Sequence, residues 1–174
     1  MNRKLLPLLL MFATGVAWAQ AAPEAAPAAP AVVAAVDFAD TAFVLICSAL
    51  VLLMTPALAF FYGGLSRSKS VLNTMMMSFA AIGVITIVWV VAGYSIAFGD
   101  EPMGAYYGSL KNIMLAGIDK DSTATTFNAA HLIPKYVFVM FQATFAIIAA
   151  ALISGALADR MKFGAYLVFI ALWS

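Results

Sequence analysis

The stretch "FVMFQATFAIIAAALISGALADRMKF" (138–163) carries no charged residue before Asp159. Residues 138–157 alone make a helix of about 30 Å at 1.5 Å per residue, the thickness of a bilayer's hydrocarbon core. Inside it, "FQATF" (141–145) sets Gln142 between two phenylalanines. Phe141 and Phe145 are four apart, so both rings lie on one helix face, one turn apart, with Gln142 about 100° round. Two readings follow. The rings can face lipid or pack while the amide bonds to a neighbouring helix. Alternatively, they line a narrow pore, because an aromatic face attracts a small cation. Spacing alone favours packing.

Composition agrees with a membrane location. The chain has 174 residues, is 65% hydrophobic and only 10% charged, and its mean hydropathy is +1.01. A soluble domain carries about 25% charge, so the expectation is an integral membrane protein in contact with a lipid bilayer. A net charge of +1 with no basic run argues for no nucleic acid. Cys47 is the only cysteine, which excludes an internal disulfide, and it reads as a small buried residue.

The beginning reads as an address. Arg3 and Lys4 precede a short apolar run that ends in Ala17-Trp18-Ala19, the pattern of a secretory signal peptide over 1–19. An uncleaved signal anchor is the alternative. An Ala/Pro-rich leader over 20–36 cannot build a packed core. Residues 37–174 then form the membrane domain, with apolar runs at about 41–63, 71–98 and 134–157, and a shorter one from Phe163 to Ser174. Asp37 or Asp40 is placed to cap the first helix. Pro56 predicts a kink near Leu52–Pro56, and Gly63-Gly64 predicts the helix end. The last run is too short to span, so the chain is expected to be the N-terminal part of a longer polytopic protein or a truncated gene product.

The connections set the expected orientation. "SRSKS" (66–70) and "ADRMKF" (158–163) are short and basic, whereas the loop from Gly99 to Ile133 is long and contains Asp100, Glu101, Asp119 and Asp121. Short loops rich in Lys and Arg stay in the cytoplasm. The expected location is therefore the inner (plasma) membrane, multi-pass, with the mature N-terminus outside. No Asp, Glu, Lys, Arg or His lies in the middle of a span, which argues against a proton pump or an intramembrane enzyme. The chain is read as no enzyme, with no cofactor and no metal. His131, at the outer end of the third span, reads as interfacial, since one His makes no metal site. Ala146, Ala150 and Ser154, with Ala151 and Gly155, recur at a spacing of four and read as a helix-packing stripe. Met75–Met77 read as flexible filler.

Three stretches together resemble the ammonium transporter family (the Amt/Mep/Rh group), in its bacterial Amt branch: "DFADTAFVLICSALVLLMTPALAFFYGGLSRSKSVLNTMMMSF" (37–79), "WVVAGYSIAFGD" (89–100) and "FQATFAIIAAALISGALADRMKF" (141–163). The resemblance implies an all-α polytopic bundle of eleven helices in two inverted halves, assembled as a homotrimer with one pore per subunit. This chain would hold three helices and the start of a fourth. By position, Phe141 resembles the outer-site aromatic that cradles ammonium, and Phe145 one of two stacked rings closing the pore below. Gln142 resembles a residue supporting the wall, Phe61 an aromatic near the cytoplasmic exit, and Leu58 an apolar residue of the lower pore. Trp173 is not the family's binding-site tryptophan. The resemblance implies ammonium/ammonia transport, with the cation deprotonated and passed as ammonia, and a PII-type signal protein as cytoplasmic partner. An ammonium-sensing membrane receptor of the same family is the alternative. Alone, three helices and a stub are expected to be inactive.

Overall fold

A computed structural model describes residues 35–99, 107–125 and 131–174. The signal-peptide reading and nearly all of the leader fall outside them. The protein is an all-α membrane bundle. Among the described residues, three helices are long and apolar enough to cross a bilayer.

Helix α1 runs Phe38–Leu65. Asp37 starts it: its carboxylate accepts from the backbone N–H groups of Ala39 at 2.8 Å and Asp40 at 3.1 Å. These two amides would otherwise lack partners, and a negative charge suits this end of the helix dipole. The Asp40 amide above all, then that of Ala39, holds the Asp37 carboxyl below its ordinary range. The helix continues through Pro56 and passes Gly63-Gly64 to end two residues beyond the sequence expectation. Ser66 makes this possible. Its N–H donates to the Gly63 carbonyl at 3.2 Å, and its hydroxyl donates to the Tyr62 carbonyl at 2.8 Å, so side chain and backbone both serve orphaned carbonyls of the last turn.

The second rod is not a plain α-helix. α2 covers Val71–Val88, a π turn covers Trp89–Gly93, and α3 covers Tyr94–Phe98. A 3₁₀ segment, Leu110–Leu115, and a small antiparallel hairpin follow: β1 (Thr123–Thr125) pairs with β2 (Leu132–Pro134), Ala124 opposite Ile133. α4 is Lys135–Leu157 and α5 is Phe163–Trp173.

Helices α1, α2 and α4 pack on one another pairwise, and α5 lies mainly against α2. The seam between α2, α4 and α5 is the core: Met77, Ala81 and Ile85 meet Ile147, Ala150, Ala151, Tyr166 and Ile170. Lipid is as apolar as leucine, so close contact of small residues and hydrogen bonds hold such helices together. Both are present. The Ser78 and Ser154 hydroxyls lie 3.1 Å apart and fully buried, and the Tyr166 hydroxyl donates to the Ala150 carbonyl at 3.3 Å. A Cβ on Gly155 would sit 2.6 Å from the Tyr62 ring. Only glycine admits that ring, whose hydroxyl donates to the Leu152 carbonyl at 3.1 Å. Met77 is fully buried while Met76 is exposed, so the methionine run divides between core and surface. Cys47 is half-buried.

At the hairpin end the chain is stitched to itself. The Asp37 N–H donates to the Leu132 carbonyl at 2.9 Å. His131 Nδ1 lies 3.3 Å from one carboxylate oxygen of Asp37 and 3.2 Å from one of Asp40. The Ser95 hydroxyl donates to the Ser109 carbonyl at 2.5 Å and accepts from the Asn112 N–H at 3.1 Å. The start of the described loop thus folds back onto the end of the second rod.

Candidate functional site

Phe141 and Phe145 are set by α4, which leaves β2 at Pro134 and is unbroken through both. Their ring centroids are 5.0 Å apart with planes at 80°. The contact is edge-to-face. A quadrupole explains the preference: the positive edge of one ring meets the negative face of the other. Phe145 is 45% exposed and Phe141 is half-buried.

Helical spacing carries this face onward through Ile148 and Leu152. Those two residues form one bank of a groove of about 330 Å³, and Met54, Ala57, Leu58 and Phe61 of α1 form the other. Leu58 leans partly onto the core. Phe61 is 60% exposed, its ring tilted 43° against Tyr62 at 5.7 Å. Phe141 with Phe145, and Leu58 with Phe61, are therefore brought onto one open side of the α1–α4 pair. Gln142 is not on that face. It is half-buried one position round, on the side of Ala146, which packs against the core.

All six groove-lining side chains are apolar. Such a surface offers no hydrogen bond to an ion and little penalty to a small neutral molecule. An idealised Born estimate for bringing an ammonium-sized ion into a low-dielectric interior is on the order of 20 kcal/mol. On this side the ring faces of the aromatic pair, and of Phe61 in the groove, are what attract a cation.

Sequence reasoning missed Met54, Ala57, Ile148 and Leu152. The last two continue the Phe141–Phe145 spacing and were findable by extending it. The α1 partners require the tertiary pairing. Another cavity, about 350 Å³, opens at the basic-turn end among Tyr62, Ser66, Arg67, Thr74, Gly155 and Asp159. Its lining mixes polar and apolar groups, Leu65 and Ala158 among the latter, and it is separate from the aromatic pair. The Asp37, Asp40 and His131 side chains could hold a cation by the mutual distance of their ligand atoms, all within 4.8 Å. One Asp37 oxygen is already committed to the helix cap.

Comparison with known proteins gives a consistent result. Residues 42–174 match the model of the Ammonium Transporter Family. The chain is 53% identical over 148 residues to an ammonium transporter of Mycobacterium tuberculosis, covering 79% of this chain and 31% of that protein. Over 135 residues it is 47% identical to an ammonium transporter of Bacillus subtilis, covering 78% of this chain and 32% of that one. The chain thus spans about a third of the length of the curated relatives it matches. Among solved structures it is similar to Candida albicans Mep2, with a TM-score of 0.67, 29% identity, and coverage of 79% of this chain and 29% of that one. Saccharomyces cerevisiae Mep2 is similar at a TM-score of 0.67 and 28% identity, with 79% and 30% covered.

Proposed function

Since this chain belongs to the ammonium transporter family, we propose that it forms the outer cup and one wall of a pore that carries ammonium nitrogen across a membrane as ammonia. The supporting observation is the continuous open side on which the Phe141–Phe145 pair leads into the uncharged groove with Leu58 and Phe61.

The energetics select the carried species. Moving the intact cation inward costs on the order of 20 kcal/mol. Removing a proton from an amine of pKa about 10.4 at neutral pH costs roughly 5 kcal/mol. Deprotonation wins by a wide margin. Phe141 recruits the cation with its ring face, Phe145 closes the path below, and neutral ammonia passes the apolar wall of Leu58 and Phe61. Gln142 braces α4 beside the rings. The groups that accept and return the proton come from the rest of the complete protein, as do the remaining walls.

The hairpin end faces outward and the basic turns inward, since Arg67, Lys69, Arg160 and Lys162 sit in short connections. The complete protein is a homotrimer of the plasma membrane, its chain exported by residues 1–19, and the inward face is where a PII-type signal protein docks.

The test is Phe141→Ala and Phe145→Ala in the full-length protein, with methylammonium uptake as the readout. Loss of the ring face from the cup is expected to raise KM about five- to thirtyfold in Phe141→Ala, the ratio of a cation–π contact of 1–2 kcal/mol. Phe145→Ala is expected to change the rate and to relax selectivity. Wild-type rate and selectivity in both variants would return the two rings to a packing role.

A further inference from the structure

The π turn has no part in the pore wall, yet it organises the residues behind the cup. In it the Tyr94 N–H reaches back five residues to the Trp89 carbonyl. A π turn inserts an extra residue into a helix and re-aims the side chains around it, often at functional sites. Here it aims Trp89 at α4. The indole N–H donates to the Val139 carbonyl at 3.2 Å, two residues before Phe141. Gly93 leaves room for the ring: a Cβ there would lie 3.2 Å from the indole.

A second route runs through rings. Trp89 meets Phe98 edge-on at 6.2 Å and 70°, and Phe98 meets Phe138 edge-on at 5.2 Å and 84°. Phe138 is one turn before Phe141 on the same helix. Tyr94, buried and stacked on Phe98 at 5.8 Å, backs the relay. Trp89 therefore holds the turn of α4 before Phe141 directly at the Val139 carbonyl and, by way of Phe98, at the Phe138 ring.

Attraction of a cation to a ring requires the cation within about 6 Å of the centroid, so the cup's affinity depends on where Phe141 stands. We propose that Trp89 is a positioning residue for the cup: through its bond to Val139 and its ring contact with Phe98 it sets the place of Phe141 without touching the substrate. This inference rests on the transport reading above.

The experiment is uptake of methylammonium by the full-length protein in membrane vesicles, measured against concentration and normalised to the amount of protein in the membrane. Trp89→Phe keeps an aromatic body and deletes the N–H. Phe98→Leu cuts the ring relay and keeps the N–H, and Phe141→Ala is the control for the cup itself. KM is expected to rise about two- to tenfold in Trp89→Phe, the ratio carried by one modest hydrogen bond, with maximal rate per molecule unchanged. Phe98→Leu is expected to act in the same direction. A purely structural role would lower the amount of protein and leave KM where it was. Wild-type KM in Trp89→Phe while Phe141→Ala is impaired overturns the positioning role alone. Wild-type KM in Phe141→Ala overturns the cup, and with it anything that positions it. Should Trp89→Phe fail to accumulate, a wild-type KM in Phe98→Leu overturns the relay.

Discussion

The two faces of α4 are built from opposite materials. The face toward α2 and α5 presents Ile147, Ala150, Ala151 and Ser154, all buried, with the Ser78–Ser154 hydroxyl pair near the end of the helix. The face turned the other way presents Phe141, Phe145 and Leu152, and Phe145 and Leu152 are exposed. In a water-soluble protein the bulky apolar residues would be the core. In lipid, bulk alone gains little, and close approach of small residues does the joining. Phe145 and Leu152 are thereby left out of the packed seam, which keeps Ile147 and Ile148 beside its small residues.

Gly155→Val should destabilise the bundle most severely, at the seam between α1 and α4. The new Cβ collides with the Tyr62 ring, and overpacking of this kind costs about 1–3 kcal/mol. A drop in the thermal aggregation temperature of the detergent-solubilised protein, together with loss of folded yield, is the expected result. An unshifted temperature would mean that the Tyr62 ring swings aside freely and that the α1–α4 seam is looser than drawn.

The Ser78–Ser154 pair should be worth less. Side-chain hydrogen bonds between membrane helices average about 0.6 kcal/mol. A double-mutant cycle with Ser78→Ala and Ser154→Ala should return a coupling of that order. A coupling of zero would leave shape alone to join α2 and α4.

Smallest in stability should be Leu152→Ala on the open side. Its side chain is half in the open, and surface changes away from special features fall within about 0.5 kcal/mol. The same substitution widens the groove beside Phe61, so discrimination between ammonium and larger alkylammonium ions is expected to relax. If stability fell as far as in Gly155→Val, the distinction between the two faces would be void.

Much of this frame could be read from residue order alone. Uninterrupted apolar runs of bilayer length announce the all-α membrane fold. Asp37 ahead of such a run announces a cap, and spacing four announces both the small-residue stripe and the Phe141–Phe145 face. Other features resist such reading for definite reasons. A π turn changes the hydrogen-bond ring by one residue without changing hydropathy, so "WVVAG" (89–93) looks like any apolar helix. The hairpin strands are three residues each, shorter than any alternation can reveal. Edge-to-face geometry depends on side-chain torsions that spacing does not encode. Met54 and Ala57 enter the groove only once α1 lies beside α4, a tertiary fact.

The extra residue of the π turn also gives the second rod a phase. Each residue of an α-helix advances the direction of its side chains by about 100°. Removing one position between Trp89 and Gly93 would therefore do more than shorten the rod. Its upper segment would turn like a key by about a quarter of a revolution, carrying Ser95 away from Ser109 and Phe98 away from Phe138. Length variation among natural versions of this protein should accordingly avoid those five positions, even though nothing in their hydrophobicity forbids it.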